Sequence, residues 1–255
     1  MRVRRLAAVL TAAVVSFLGL GTLPAQAAPV DASEASTASA ATRVIGGSSP
    51  ENMYDFLETW ILDIGQYWSS VPGVTPFAYY AFPAPGESVQ SGCGVASDDD
   101  SAFYCPLDDT VVVSQSLAAR IWDGTFEVYP GQFAAEPAGD TGVLYVLGHE
   151  YAHDVQTELG LYGDPATEAD NPYPLINMEL HADCWSGVYL RAKLDAGQRE
   201  EGDPEEAVFA AARVGDYAYD DPGHHGTPDQ RVAAFTVGYD SGQPSDCDQV
   251  LLAQY

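Results

Sequence analysis

Two histidines four residues apart lie inside an apolar stretch, and they constrain the fold more than any other feature of the sequence. They are His149 and His153, with Glu150 between them, and the preceding residues 143–147 are apolar. Asp140-Thr141 before this stretch is a plausible helix cap. Side chains four residues apart share one face of a helix. The pattern predicts a helix on which two imidazoles bind one ion, the alternative being two core histidines satisfied by hydrogen bonds.

A second apolar segment favours the prediction that His149 and His153 bind a metal over the alternative that they are hydrogen-bonded core residues. It contains Glu179 and Asp183, which are four residues apart and share a helix face. Unpaired carboxylates are costly to bury, so these two should have partners. A catalytic zinc ion has three protein ligands and one open position. We therefore predict a zinc ion on His149, His153 and Glu179, with Asp183 accepting the outer N–H of one ligand histidine.

Two neighbouring residues have more specific expectations. Glu150 lies beside the two ligand histidines and is predicted to be the general base that acts on the water at the metal. His181 is the competing third ligand. It is two residues from Glu179, so it points to nearly the opposite side of the helix, and Glu179 is favoured.

The N-terminal segment predicts export. Residues 1–5 include three arginines, residues 6–23 are nearly all apolar, and Ala25-Gln26-Ala27 has the small residues that a signal peptidase recognises. We expect residues 1–27 to be a cleaved signal peptide, an uncleaved anchor being the alternative. Residues 28–48, rich in Ala, Ser and Thr, are expected to be a linker or pro-segment. Residues 49–255 then form one domain, secreted and without membrane contact.

The charge of the chain argues against one class of partner. There are 10 basic and 37 acidic residues, giving a formal net charge of -27. Such a surface repels phosphate backbones, so we expect no nucleic-acid partner. The charge implies no particular protein partner and no oligomeric state.

The four cysteines, at positions 93, 105, 184 and 247, suggest two disulfides in an exported chain. A zinc site made of four thiolates is the alternative, but it normally needs close Cys-x-x-Cys pairs, and the sequence has none. Of the three pairings, we favour Cys93 with Cys105 across a short loop and Cys184 with Cys247.

The distribution of apolar residues predicts an α+β fold, with a small sheet followed by a helical half that carries the histidines. Helices are expected at 52–70, 141–160, 174–197, 203–219 and 228–240. Within the loop-rich residues 72–110 a short strand is expected at Phe77–Ala81, and the strongest strand signal is Thr110–Val113. The latter strand precedes the metal helix, and could pair with an extended peptide.

Several segments resemble a known family, the neutral zinc metallopeptidases of the YpfJ type. They are residues 148–156, 179–184 and 225–231, with the cysteine segments 91–94 and 103–106. The resemblance runs from about residue 91 to 250. It implies a zincin-like fold of the gluzincin type, peptidase activity and the same three ligands and base. The chain departs from the family's usual pattern at Ala152, Asp154 and His181, and none of these changes removes a ligand.

The resemblance also favours His225 over its neighbour His224 as a catalytic residue that stabilises the oxyanion. The alternative is a simple loop residue. Thr227-Pro228-Asp229-Gln230 has the pattern of a capping box and would hold the preceding loop in place. Arg231 on the same helix could pair with Asp183 or with another buried carboxylate near the metal.

The expected function is a secreted zinc-dependent peptidase acting on peptides or proteins. The alternative is a secreted zinc-binding protein without turnover, which has no need of Glu150 as a base. Residues 43–47, Arg-Val-Ile-Gly-Gly, resemble the activation site of trypsin-like proteases. A serine protease is rejected because the sequence lacks the surroundings of a nucleophilic serine.

Overall fold

The computed structural model describes residues 28–29, 52–76, 78–126, 138–162, 171–198, 202–221 and 224–255. The predicted signal peptide and all of the predicted linker except residues 28–29 lie outside these ranges. The described residues form a small sheet and a larger helical part, so the predicted α+β class is confirmed. No helix in the described ranges is long and apolar enough to cross a membrane.

The sheet has four short strands. They are β1 (Ala28–Pro29), β2 (Tyr79–Ala81), β3 (Ala102–Cys105) and β4 (Thr110–Val113), in the order β1-β2-β4-β3. Strand β4 runs parallel to β2 and antiparallel to β3. The expectation that β4 could pair with a peptide is therefore wrong, because both of its edges already have partner strands. Among the described strands, β3 is at the free edge on this side of the sheet.

The helices follow the predicted order, with one addition near the sheet and two short turns at the end. They are α1 (Met53–Ser69), α2 (Gln115–Trp122), α3 (Asp140–Glu158), α4 (Leu175–Asp195), α5 (Asp203–Arg213) and α6 (Pro228–Ser241), followed by a 3-10 turn at Pro244–Cys247 and α7 (Asp248–Leu251). Helix α2 was not predicted. Ser114 caps it through a bond from the Leu117 N–H, and its eight residues are too few to show a clear helical period.

Helix α3 is the centre of the packing, since it contacts α1, α2, α4, α5 and the sheet. It is buried from Asp140 to Gln156, as its apolar residues on all faces require. Its N-cap is Gly139, so the predicted cap at Asp140-Thr141 is wrong. A carboxylate from another helix serves instead: the Thr141 N–H donates to Glu206 Oε2 at 3.2 Å, and a Cβ at Gly139 would overlap that carboxylate.

Helix α5 ends at Arg213, six residues before its predicted end. Gly215 packs so closely on the backbone of Pro228 that a Cβ there would overlap it. The Asp216 N–H donates to the Gly226 carbonyl at 3.0 Å. These two contacts hold the chain after Arg213 beside the loop that precedes α6, and this is why the helix ends there.

Two disulfides complete the framework, and both predicted pairings are confirmed. Cys93 bonds to Cys105 and Cys184 to Cys247. The first joins a loop to the end of β3. The second joins the middle of α4 to the C-terminal segment, directly after Asp183.

Candidate metal centre

Three side chains on α3 and α4 bring their polar atoms to one point. The Nε2 atom of His149 is 3.2 Å from Nε2 of His153 and 3.2 Å from Oε2 of Glu179. Glu179 Oε1 is 3.5 Å from Nε2 of His153. All three side chains are buried. The structure thus brings together the three residues that the sequence predicts as ligands.

The outer nitrogen of His149 is held by Asp183. Nδ1 lies 2.8 Å from Asp183 Oδ1, and because an ionised carboxylate can only accept, Nδ1 carries the proton. Tyr145 donates to the same oxygen at 2.5 Å, and Arg231 donates to both oxygens at 2.8 and 2.9 Å. Burial acts to raise the pKa of Asp183, but Arg231 and His149 hold it below its usual value. Both contacts predicted for Asp183, with a histidine and with Arg231, are confirmed.

The outer nitrogen of His153 is held by Gln156. The Gln156 Nε2 group donates to the Met178 carbonyl at 2.9 Å, so its Oε1 faces His153 Nδ1 at 2.8 Å. An amide oxygen can only accept, which places the proton of His153 on Nδ1. The Tyr162 hydroxyl is also 2.9 Å from this nitrogen. As with His149, the inner Nε2 atom is left with a lone pair.

Two lone pairs and a carboxylate therefore face one another in a buried space. Such a group of acceptors is unfavourable unless a positive charge lies among them. The pKa of His149 shows the same preference for positive charge: burial lowers it, but Asp183 and Glu179 raise it to about 9, so at neutral pH a proton takes the Nε2 lone pair unless a metal ion does. Four-coordinate zinc, with bonds of about 2.0–2.1 Å, holds neighbouring ligand atoms about 3.3 Å apart. The donor types and their separations fit a zinc ion.

Glu150 lies beside this group. One of its carboxylate oxygens is within 4.8 Å of ligand nitrogens of His149 and His153, and the side chain is buried. It also lines a cleft of about 180 Å³ together with His149. A ligand in the cleft can therefore contact this carboxylate and one of the candidate ligand histidines.

His181 does not join the group. Its Nδ1 atom accepts from Gln156 Nε2 at 3.0 Å, and its ring packs on Trp185. Burial, with His153 nearby, lowers the pKa of His181 to about 3, so the ring is neutral. Its Nε2 has no hydrogen-bond partner among the described residues. This agrees with the expectation that Glu179, and not His181, faces the histidines of α3.

His225 lies on the wall of the same cleft. Its loop is organised by Asp216, which accepts from the His225 N–H at 3.3 Å and pairs with Nδ1 of His224 at 2.5 Å. The predicted capping box at Thr227 and Gln230 is confirmed, with both reciprocal bonds present. The structure thus places His225, and not His224, on the cleft.

The hydrogen bonds that Gln156, Tyr145 and Tyr162 make around the candidate metal centre were not predicted from the sequence. Gln156 and Tyr145 each have a helical signal, since Gln156 is three residues after His153 and Tyr145 is four before His149. Tyr162 follows the end of α3, and no periodicity points to it.

The chain matches one family model over nearly its whole length and individual relatives over a shorter part. A family model described as "Putative neutral zinc metallopeptidase" matches residues 4–250. The "Uncharacterized protein YpfJ" of Escherichia coli K12 is 34% identical over 174 residues, covering 62% of this chain and 57% of that protein. The "Uncharacterized protein Rv2575" of Mycobacterium tuberculosis H37Rv is 33% identical over 180 residues, covering 63% and 58%. The chain thus spans less than two thirds of these relatives' length. No solved structure matches it.

Proposed function

The chain belongs to this neutral zinc metallopeptidase family, and on that premise we propose that it is a secreted, zinc-dependent peptidase. The observation that carries the proposal is the convergence of two imidazoles and one carboxylate, 3.2–3.5 Å apart, beside a cleft that His149 and Glu150 line. His149, His153 and Glu179 would hold the metal. A zinc ion in this position lowers the pKa of a bound water and polarises a substrate carbonyl.

Glu150 is the proposed general base. It takes a proton from the attacking water and passes it to the leaving amine. Its place beside the ligand group, within 4.8 Å of nitrogens of both histidines, supports this role. A structural metal site would not need a carboxylate there.

His225 is the proposed donor to the substrate carbonyl oxygen as negative charge develops on it. Its support is its place on the cleft wall and the bond from its backbone N–H to Asp216. The N-cap of α6, Thr227 with its capping box, lies two residues after it.

The backbone of an extended substrate has a natural partner in β3. This strand has one free edge among the described strands, and Ala102 at its start lines the cleft with Glu150. A peptide that pairs along β3 would run past the candidate metal position. This proposal replaces the earlier expectation for β4.

Secretion is proposed on two grounds. The N-terminal residues 1–27 have the pattern of a signal peptide. The two disulfides are typical of an oxidising compartment.

The proposal is tested by measuring zinc content and cleavage of a random peptide library, before and after chelation. Glu150→Gln should abolish turnover and retain zinc, because it removes the base and no ligand. Glu205→Gln, an exposed change on α5, is the matched control and should keep full activity. Full activity of Glu150→Gln would exclude Glu150 as the base. Zinc binding by the native protein without cleavage of any peptide would support the alternative of a metal-binding protein without turnover.

A further inference from the structure

We propose that the enzyme selects peptides by an apolar side chain, which binds in a pocket beside Glu150. The pocket is the part of the cleft lined by six residues from several elements, namely Ala102, Leu117, Ile121, Phe126, Val146 and Val214. This inference rests on the proposed peptidase function and names its substrate class. The term apolar pocket refers below to these six residues.

The apolar pocket adjoins the reacting groups. Val146 is four residues before Glu150 on α3, so the two side chains lie one helical turn apart on the same face. Leu117 and Ile121 are likewise four apart on α2 and contribute to the same cleft. A substrate residue next to the bond under attack is therefore the one whose side chain reaches the pocket.

The charges of the cleft disfavour acidic side chains and offer a basic one only a carboxylate that already has a partner. The acidic groups that line it are Glu150 and Asp100, so an acidic substrate side chain would lose hydration and meet like charge. Arg231 also lines the cleft, but its guanidinium is bonded to Asp183. A basic side chain could approach Asp100, but Asp100 already pairs with Arg120. An apolar side chain meets none of these costs.

The size of the cleft also suits an apolar side chain. The volume of the whole cleft, including its polar wall, is about 180 Å³, and an apolar cavity of about 150 Å³ is known to hold benzene. The cleft as a whole is therefore large enough for a leucine or phenylalanine side chain. Its burial should favour cleavage by about 10–100-fold in kcat/KM over peptides with glycine or alanine at that position.

The test is a set of peptides that differ at one residue, with Gly, Ala, Leu, Phe, Lys or Glu next to the cleavage site. We expect Leu and Phe to be preferred by the native enzyme. Ala102→Phe should fill the apolar pocket and reduce the ratio of kcat/KM for the Leu or Phe peptide to that for the alanine peptide at least about tenfold. Ala81→Phe is the control, since Ala81 is also a half-buried strand alanine but does not line the cleft. Zinc content and the thermal midpoint are measured for each variant.

A binding measurement separates this inference from the proposed function. The same peptides are titrated calorimetrically into the zinc-loaded Glu150→Gln protein, and Leu and Phe should again bind about 10–100-fold more tightly than Gly. If no peptide is cleaved by the native protein, the proposed function fails, and the binding series still decides the pocket. Equal affinity for all peptides, or a preference for Lys or Glu, overturns the inference.

A second variant covers the case in which Ala102→Phe does not fold. Val214→Ala enlarges the apolar pocket from a half-buried position, and it should shift the preference from Leu toward Phe. The inference is also overturned if Ala102→Phe folds and keeps the native size of the preference, or if Val214→Ala folds and keeps the native ratio between Leu and Phe.

Discussion

Each histidine of the candidate centre has its outer ring nitrogen held by a different side chain. His149 donates to a carboxylate, Asp183, and His153 to an amide, Gln156. With the proton on Nδ1, each ring keeps on Nε2 a lone pair that can bind a metal ion. In the other tautomer Nε2 would carry the proton and could not bind the ion. The ionised partner makes His149 the more basic ligand of the two.

The third ligand can be identified by metal analysis of two variants. Loss of a side chain that hydrogen-bonds to a metal ligand costs about 10–100-fold in metal affinity. Glu179→Ala removes a ligand itself, so it should lower zinc affinity by more than this. His181→Ala should lower it by no more than about tenfold, since His181 contacts Gln156 and not the centre. The two proteins are compared by competition with a chelator of known affinity. The reverse order would make His181 the ligand.

The role of His225 can be separated from that of the loop around it. His225→Ala should reduce kcat by about 10²-fold or more, with KM and zinc content little changed, because the donor acts mainly on the transition state. His224→Ala is the comparison, since His224 pairs with Asp216 in the same loop. Steady-state kinetics of both variants are required. A kcat within about threefold of native for His225→Ala would make His225 part of the scaffold.

At the scale of elements, the contact between α4 and α6 decides whether the site can form. The two helices approach closely at Gly187 and Gly238, where a Cβ would overlap the carbonyl oxygens of Phe235 and Cys184 respectively. The same contact places Arg231 of α6 on Asp183 of α4. A change in the distance between α4 and α6 would therefore move Arg231 relative to Asp183, which is the hydrogen-bond partner of His149.

Gly238→Ala should force α4 and α6 apart. We expect it to lower the free energy of unfolding by at least about 1–3 kcal/mol, as overpacking does, and to weaken zinc binding because Arg231 moves from Asp183. Ala233→Leu adds more volume on the exposed face of the same helix and should change stability by less than about 0.5 kcal/mol. Urea unfolding and zinc titration give both quantities. A native zinc affinity in a destabilised Gly238→Ala protein would show that the coupling is absent.

For the molecule as a whole, the two disulfides constrain the chain over different distances. Cys93 and Cys105 are 12 residues apart, and Cys184 and Cys247 are 63 apart. The longer loop loses more entropy from the unfolded chain when it is closed. Its bond also joins the helix that carries Glu179 to the C-terminal segment.

Removal of the longer disulfide should cost more stability than removal of the shorter one. Chain entropy alone gives about 4 kcal/mol for Cys184→Ala/Cys247→Ala and about 3 kcal/mol for Cys93→Ala/Cys105→Ala. Each double variant is compared with the native protein by denaturant unfolding under non-reducing conditions. Equal losses, or a larger loss for the shorter loop, would contradict the entropic argument.

Much of the candidate site could be predicted from local spacing. The pair His149 and His153, and the pair Glu179 and Asp183, have the i, i+4 spacing that sets one helix face, and each pair does share a face. The capping box before α6 is equally local. The fold class and the disulfide pairs also agreed with the expectation. Helix α2 and the end of α5 were missed, since one is short and the other depends on Pro228 and Gly226.

The sequence by itself determined which residues share a face, because the helical and strand periods are properties of the local backbone. Tertiary structure decided which faces meet. Only packing places Asp183 between α3 and α6, brings Gln156 to the Met178 carbonyl, and makes β3 the free edge instead of β4. These contacts join residues distant in the chain, and their separations depend on side-chain volumes at every helix contact, which no local period records.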